Sequence, residues 1–297
     1  MRARTLLRLL LLVQSGAALL VAWALAAFAG WPMAAALAGG LGLALLVRLA
    51  INMNNFALAA RAASPVPAAF RLGPAGWLRL LAGEFRASML VSHWHMLRAP
   101  RPLRVHADAT HVPVLLLHGY GASGGFWAHL VPLLDAARVS HLSIDLVPVT
   151  CGIDDYVPLI ERGVAQLCAA TGSPRVTIVA HSMGGLAARA WMRRHGTALA
   201  NLGPGLNAVQ MRLDSPWLRA LEAGEGAAER ALITSIWTHH DNIVAPQDSS
   251  VLAGARNIAF GGVGHVWLAS HPRVLARVLQ ELGIASDNTT GTTSGTS

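Results

Sequence analysis

The chain has 297 residues, 54% of them apolar and only 13% charged, with a mean hydropathy of +0.46. That composition excludes a disordered or collagen-like chain and points to a part that enters a membrane. All 23 basic residues are arginine, and residues 1–112 hold 11 of them against Glu84 and Asp108, whereas the remainder holds 12 against 13 acids, so the net charge of +8 belongs to the N-terminal third. Basic charge beside apolar runs suits anionic lipid, while a nucleic-acid binder would carry it on the folded domain. A lipid bilayer is therefore an expected partner and nucleic acid is not. Cys151 and Cys168 are too few for a disulfide framework or a four-ligand zinc site and are read as reduced thiols.

In chain order, Leu6–Ala29 is almost wholly apolar, Gly30-Trp31-Pro32 breaks it, and Met33–Ile51 is apolar again. At about 1.5 Å per residue each run can cross a hydrocarbon core of about 30 Å. Arg2, Arg4 and Arg8 precede the first run, and Arg48 and Arg61 close or follow the second. The positive-inside rule then reads residues 1–52 as a two-span hairpin in the inner (cell) membrane of a bacterium, both ends cytoplasmic. A rival reading takes the first run as a signal peptide cleaved at Ala27-Phe28-Ala29, although it exceeds the usual length. The stretch around Gly39, Gly40 and Gly42 would allow close helix approach. Residues 53–111 form a proline-broken junction with room for one amphipathic helix, about Trp77–Leu97, lying on the membrane surface or over the next domain. The Ser/Thr/Gly-rich residues 286–297 are read as a disordered tail.

Residues 112–285 alternate strand and helix: Val112–Leu117, Val139–Leu146, Arg175–Ala180, Ala231–Trp237 and Ala255–Phe260 are strand-like, with helical stretches at Phe126–Ala137, Ile153–Thr171 and Pro272–Leu282. The pattern predicts an α/β fold, a mostly parallel sheet covered on both faces.

Ala180-His-Ser182-Met-Gly184 lies between a strand and a helix with small residues two positions to either side of the serine, the pattern of a nucleophile elbow. A serine needs a base, and the base needs a carboxylate to orient it. His265, in the glycine-rich loop Gly261–Val266, supplies the first; Asp241, directly after a strand, supplies the second, with Asp214 as a rival. The order Ser182, Asp241, His265 is the one this architecture uses. Gly119 and Gly121 let the loop after the first strand turn back, so the backbone N–H groups of Tyr120 and Met183 are the candidate oxyanion hole. No lysine exists for a phosphate-binding loop, and a Gly-x-Gly-x-x-Gly spacing is lacking. His239, His240 and Asp241 alternate in direction along an extended segment and do not converge on a metal. His93-Trp94-His95 reads as an interfacial anchor, and Phe126 with Trp127 as packing of the first helix rather than an acyl pocket.

Together, His118-Gly119-x-Gly121, Ala180-x-Ser182-x-Gly184, Asp241-x-Ile-Val-x-Pro and Gly264-His265 resemble the triacylglycerol lipase and esterase branch of the α/β-hydrolase superfamily. The resemblance covers roughly residues 110–283. It implies a serine esterase or lipase, without cofactor or metal, that forms an acyl-enzyme on a carboxylic ester or lipid substrate. Acyl transfer or thioester hydrolysis would use the same triad. Gly205–Leu218 is similar to the stretch after the sixth strand in these lipases. One departure stands out: no Val/Ile-rich run lies between Leu186 and Arg230, so one core strand is missing. Either the strand from about Ala231 closes up beside the elbow strand or the sheet carries a gap with open backbone groups, which would leave an impaired enzyme or a binding protein on a hydrolase fold.

Overall fold

A computed structural model describes residues 3–98, 103–196, 210–211 and 215–284. The two apolar runs form helices α1 (Ala3–Ala29) and α2 (Met33–Ala60), joined by a turn in which Gly30 takes the left-handed conformation. Both are long and apolar enough to cross a membrane. The second helix continues past Ile51 because Met53, Ala57, Leu58 and Ala59 keep favouring helix after the strongly apolar run has ended. The helices pack against each other at Gly40, where a Cβ would collide with the carbonyl of Ala18. Farther along, Arg48 Nε donates to Gln14 Oε1 at 2.6 Å. Their outward residues, Leu12, Val13, Leu20, Phe28, Met33 and Leu46 among them, are exposed.

The junction contains α3 (Pro74–Leu90), running into a π-helical turn, Val91–His95. Of the two placements expected for this helix, the structure shows the one over the next domain: Leu80, Glu84 and Ala87 are buried. Gly83 lets the ring of Trp267 lie against the helix, where any Cβ would strike it.

The following domain holds β1 (Leu103–Arg104), β2 (Val114–Leu117), β3 (His141–Ile144) and β4 (Thr177–Ala180) in one sheet, ordered β1-β3-β2-β4. Only β1, too short to show in the sequence pattern, is antiparallel. All four side chains of β2 are buried. Leu115 and Leu117 point to a core shared with α5 (Val157–Thr171) and α6 (Met183–Gly196). Val114 and Leu116 point to the other face, against Trp127, Leu130, Leu134 of α4 (Val131–Ala136) and the partly buried Leu275 and Val278 of the closing helix. That continuous apolar run is what a parallel strand covered on both faces requires.

The second half is different. After α7 (Pro216–Ala223) and α8 (Ala227–Ala231), β5 (Thr234–Thr238) and β6 (Arg256–Phe260) pair in parallel as a two-stranded sheet among the described residues, and α9 (Pro272–Glu281) closes the domain. Ala231, expected to open the strand, instead ends α8. Among the described residues no strand lies between β4 and β5; a cavity of about 270 Å3 sits there, lined by Ile178, Ala180, Thr234 and Ile236 along its sides and by α9 and Trp127. Thr177 and His181 donate to Pro113 and Leu117 of the β2 side, so the backbone groups of Ile178 and Ala180 face the cavity. Likewise Ile233 and His239 bond β6, which turns Thr234 and Ile236 toward the cavity. None of these four residues is fully buried, so their outward backbone groups lie within reach of water rather than in a strand ladder.

Amide hydrogen exchange reads this alternation directly. Ile178, Ala180, Thr234 and Ile236 should exchange at least about tenfold faster than their neighbours Val179 and Ser235. Equal, slow exchange at all six would show that a strand fills the seam.

Candidate active site

Ser182 sits between β4 and α6 with φ +55°, one of two non-glycine residues with positive φ among those described. Such a conformation is strained for a side-chain-bearing residue and turns the hydroxyl out of the sheet. The turn is possible because Gly184 has no Cβ, which would lie 2.6 Å from the carbonyl oxygen of Leu117. Gly119 lies equally close, its missing Cβ 3.0 Å from Ser182 Cβ. The N–H groups of Gly184 and Gly185 bond back to His181 and Ser182 and start α6.

One carboxylate–imidazole pair joins the loops after β5 and β6. Asp241 Oδ1 accepts from the N–H groups of Ile243 at 2.8 Å and Val244 at 2.7 Å, while His265 Nδ1 donates to Oδ2 at 2.8 Å. Both side chains are 9% exposed, so this pair is shielded from water. The loop carrying His265 is tied down by Asn242, whose Oδ1 accepts from the His265 N–H at 3.0 Å, and by Thr238, whose hydroxyl donates to Val263 O. Burial alone would lower the His265 pKa, but the Asp241 carboxylate and then Glu84 outweigh it, and the imidazole is held above its ordinary value. Burial likewise opposes the charge of Asp241, yet His265 and the two N–H donors leave that carboxyl below the usual range.

The expected triad is thus gathered in part. Asp241 and His265 meet in hydrogen-bond geometry, whereas no hydrogen bond links Ser182 Oγ to His265 among the described residues. His181 occupies the ground between the two halves. Its Nε2 donates to the His265 carbonyl at 3.1 Å, its ring centroid is 4.6 Å from that of His265, and Phe126 covers its other side at 4.4 Å. Desolvation among its neighbours lowers the His181 pKa to about 3, so it is a neutral spacer. Tyr120 and Met183 stand at the two loops expected of an oxyanion hole, Tyr120 next to Gly119 and half-exposed, Met183 buried at the head of α6. His118 is structural: Leu146 N–H donates to its Nε2, its Nδ1 donates to Gly119 O, and the ring ties the β2 loop to the end of β3.

Asp214 lies outside the described residues, as do Gly205–Val209 and the tail 286–297. His239 stacks between Phe70 and Trp237, His240 faces Trp77, and Asp241 turns to His265, so the three diverge. Trp94 is exposed and carries the Arg98 guanidinium 3.6 Å from its ring, while His95 packs on His129. Phe126 and Trp127 are core residues, though Trp127 also lines the seam.

Sequence reasoning overlooked Glu84, His181 and Asn242 as neighbours of His265. For Glu84 a signal was present: it is one of only two acids in the first 112 residues.

Residues 112–228 match the family described as alpha/beta hydrolase fold. With the elbow and the strand order, this defines the domain as an α/β-hydrolase fold that lacks one strand among the described residues. It is similar in structure to the product of gene lin2722 from Listeria innocua, at 14% identity and TM-score 0.42, covering 60% of this chain and 96% of that one. A CIB-like hydrolase from Thermoplasma acidophilum aligns at 16% identity and TM-score 0.40, covering 59% and 86%. The carboxylesterase CesB (YbfK) from Bacillus subtilis aligns at 14% and 0.38, covering 69% and 98%.

Gly184→Ala should lower stability by about 1–3 kcal/mol, measured by denaturant unfolding, because the backbone of β2 cannot retreat. His265 adds a pH term. Its folded pKa is raised from 6.5, so the imidazolium favours folding below that value, and this contribution disappears as the pH climbs through the raised pKa. Asp241→Asn should flatten that slope.

Proposed function

We propose that the protein is a serine hydrolase of carboxylic esters, held at a membrane by the α1–α2 hairpin. The observation that carries this reading is Ser182 at a strained elbow with the buried Asp241–His265 pair formed by the loops after β5 and β6. In this scheme Ser182 Oγ attacks the ester carbonyl as its proton passes to His265 Nε2. The N–H groups of Tyr120 and Met183 receive the developing oxyanion, His265 returns the proton to the leaving alcohol, and water then releases the acyl group from Ser182. Asp241 fixes the imidazole and stabilises its charged form. Active-site hydrogen bonds often tighten only when substrate arrives, which accommodates the open Ser182–His265 distance.

A lipid-like substrate follows from placement. Arg4 Nη2, at the foot of α1, pairs with Asp145 Oδ2 at 3.0 Å, and Asp145 Oδ1 accepts from Gly124 N, so the hairpin begins beside the loops at the C-terminal ends of the strands. The arginine bias puts the domain on the cytoplasmic side of the bacterial inner membrane. A reporter fused after Arg61 should be active in the cytoplasm and silent in the periplasm.

The seam between β4 and β5 favours a second reading, a binding protein in which the site is disabled. Fluorophosphonate labelling of the full chain in detergent separates the two. The hydrolase reading expects labelling that is lost in Ser182→Ala and His265→Ala and reduced about 10^4-fold in rate in Asp241→Asn. Well-folded protein that takes no label would establish the second reading. Because the base must be neutral, the labelling rate should rise with pH through the raised pKa of His265.

A further inference from the structure

The element that closes over the His265 loop comes from outside the domain. Glu84 of α3 is 1% exposed. Its Oε1 accepts from Val266 N–H at 2.9 Å and its Oε2 from Trp267 N–H at 2.8 Å. The fit is tight from both directions: a Cβ at Gly264 would lie 2.6 Å from Glu84 Oε2, and a Cβ at Gly83 would collide with the Trp267 ring. One carboxylate thus grips the two residues directly after His265, in the loop whose glycine it also displaces. The acid-bearing loop is held from the same side. Ser64 N–H donates to Gln247 Oε1 at 3.0 Å, Gln247 Nε2 donates to Asp241 O at 3.0 Å, and Trp77 of α3 packs on His240.

We propose that Glu84 is a positioning residue for His265: through Val266 and Trp267 it fixes the loop that aims the imidazole across the seam. This assignment rests on the reading of His265 as the base. It explains why a buried acid belongs in a segment otherwise rich in arginine. Among the described residues no strand joins β4 to β5, so the two hydrogen bonds to Glu84 supply the restraint that a sheet ladder would otherwise place on the His265 loop. The charge has its own effect. Three titratable groups face His265: Asp241 from the loop after β5, Glu84 from α3 and neutral His181 from the end of β4. Asp241 acts most strongly on its pKa and Glu84 raises it further.

The test uses the full-length chain in detergent and Glu84→Gln, which keeps the size and removes the charge and one acceptor. The expected result is fluorophosphonate labelling about tenfold to hundredfold slower, with its acid limb moved to lower pH. The His265 imidazole, assigned in NMR spectra by comparison with His265→Ala, should titrate at lower pH, and the Val266 and Trp267 amides should exchange faster. Glu84→Asp, which keeps the charge on a shorter arm, should restore the pH profile more fully than the rate, and it carries the comparison if Glu84→Gln lowers the melting temperature. An unchanged rate, an unchanged His265 titration and unchanged amide exchange would overturn the proposal. If the wild type takes no label, the hydrolase reading fails, while the titration and exchange still decide whether Glu84 holds His265.

Discussion

Ser182 and the Asp241–His265 pair ride on different sheets, and among the described residues no ladder of backbone hydrogen bonds crosses from β4 to β5. In a continuous sheet the spacing between two loops is set by strand separation, about 4.8 Å per step, and is hard to change. Here that spacing depends on side chains alone: the ring of His181 between Phe126 and His265, the flank of α9, and the underside of α3. Such contacts are individually softer than a ladder, so the site is built from parts that must be packed from several directions to stay in place. Glu84, Gln247 and Trp77 belong to that packing, and they are reached from segments that flank or follow the hairpin.

This dependence changes the meaning of the N-terminal third. Residues 53–98 are not a spacer between the apolar hairpin and an independent domain; they form a wall of the loops that carry Asp241 and His265, with Gly83, Gly264 and Gly125 marking where a ring, a carboxylate or the backbone approaches too closely for any side chain. The electrostatics follow the same geometry. Asp241 and Glu84 are the two carboxylates around His265, both buried, one accepting the imidazole N–H and the other the backbone beside it. The imidazole is consequently charged to higher pH than a free histidine, which favours the folded state.

Much of this was legible in the residues. The elbow could be read because Ala180, Ser182 and Gly184 must be small, strained and small for reasons local to one turn, and because the flanking strand and helix have clear periodicities. A buried parallel strand demands a Val/Ile-rich run, and none stands between Leu186 and Arg230; in keeping with that, none of the described residues of this stretch is in a strand. What could not be read was long-range pairing. Glu84 lies 182 residues from Val266, and nothing in its neighbours announces a partner so distant. Ala231 was misplaced for a different reason: helix α8 has only five residues, too few for a period to show, and it runs into the strand without a glycine or proline between them. Nor could the sequence choose between closing the sheet and leaving it open, because that balance sets backbone hydrogen bonds against the packing of α9 and Trp127, both tertiary terms.

The hairpin touches the domain at both of its ends, Arg4 on Asp145 at the start of α1 and, just beyond α2, Ser64 on Gln247. A single flexible tether raises the local concentration of an enzyme near a surface but leaves it free to tumble. Two feet planted on opposite loops remove that freedom. The domain is then oriented as well as confined, and Ser182 keeps one fixed attitude relative to the two apolar helices.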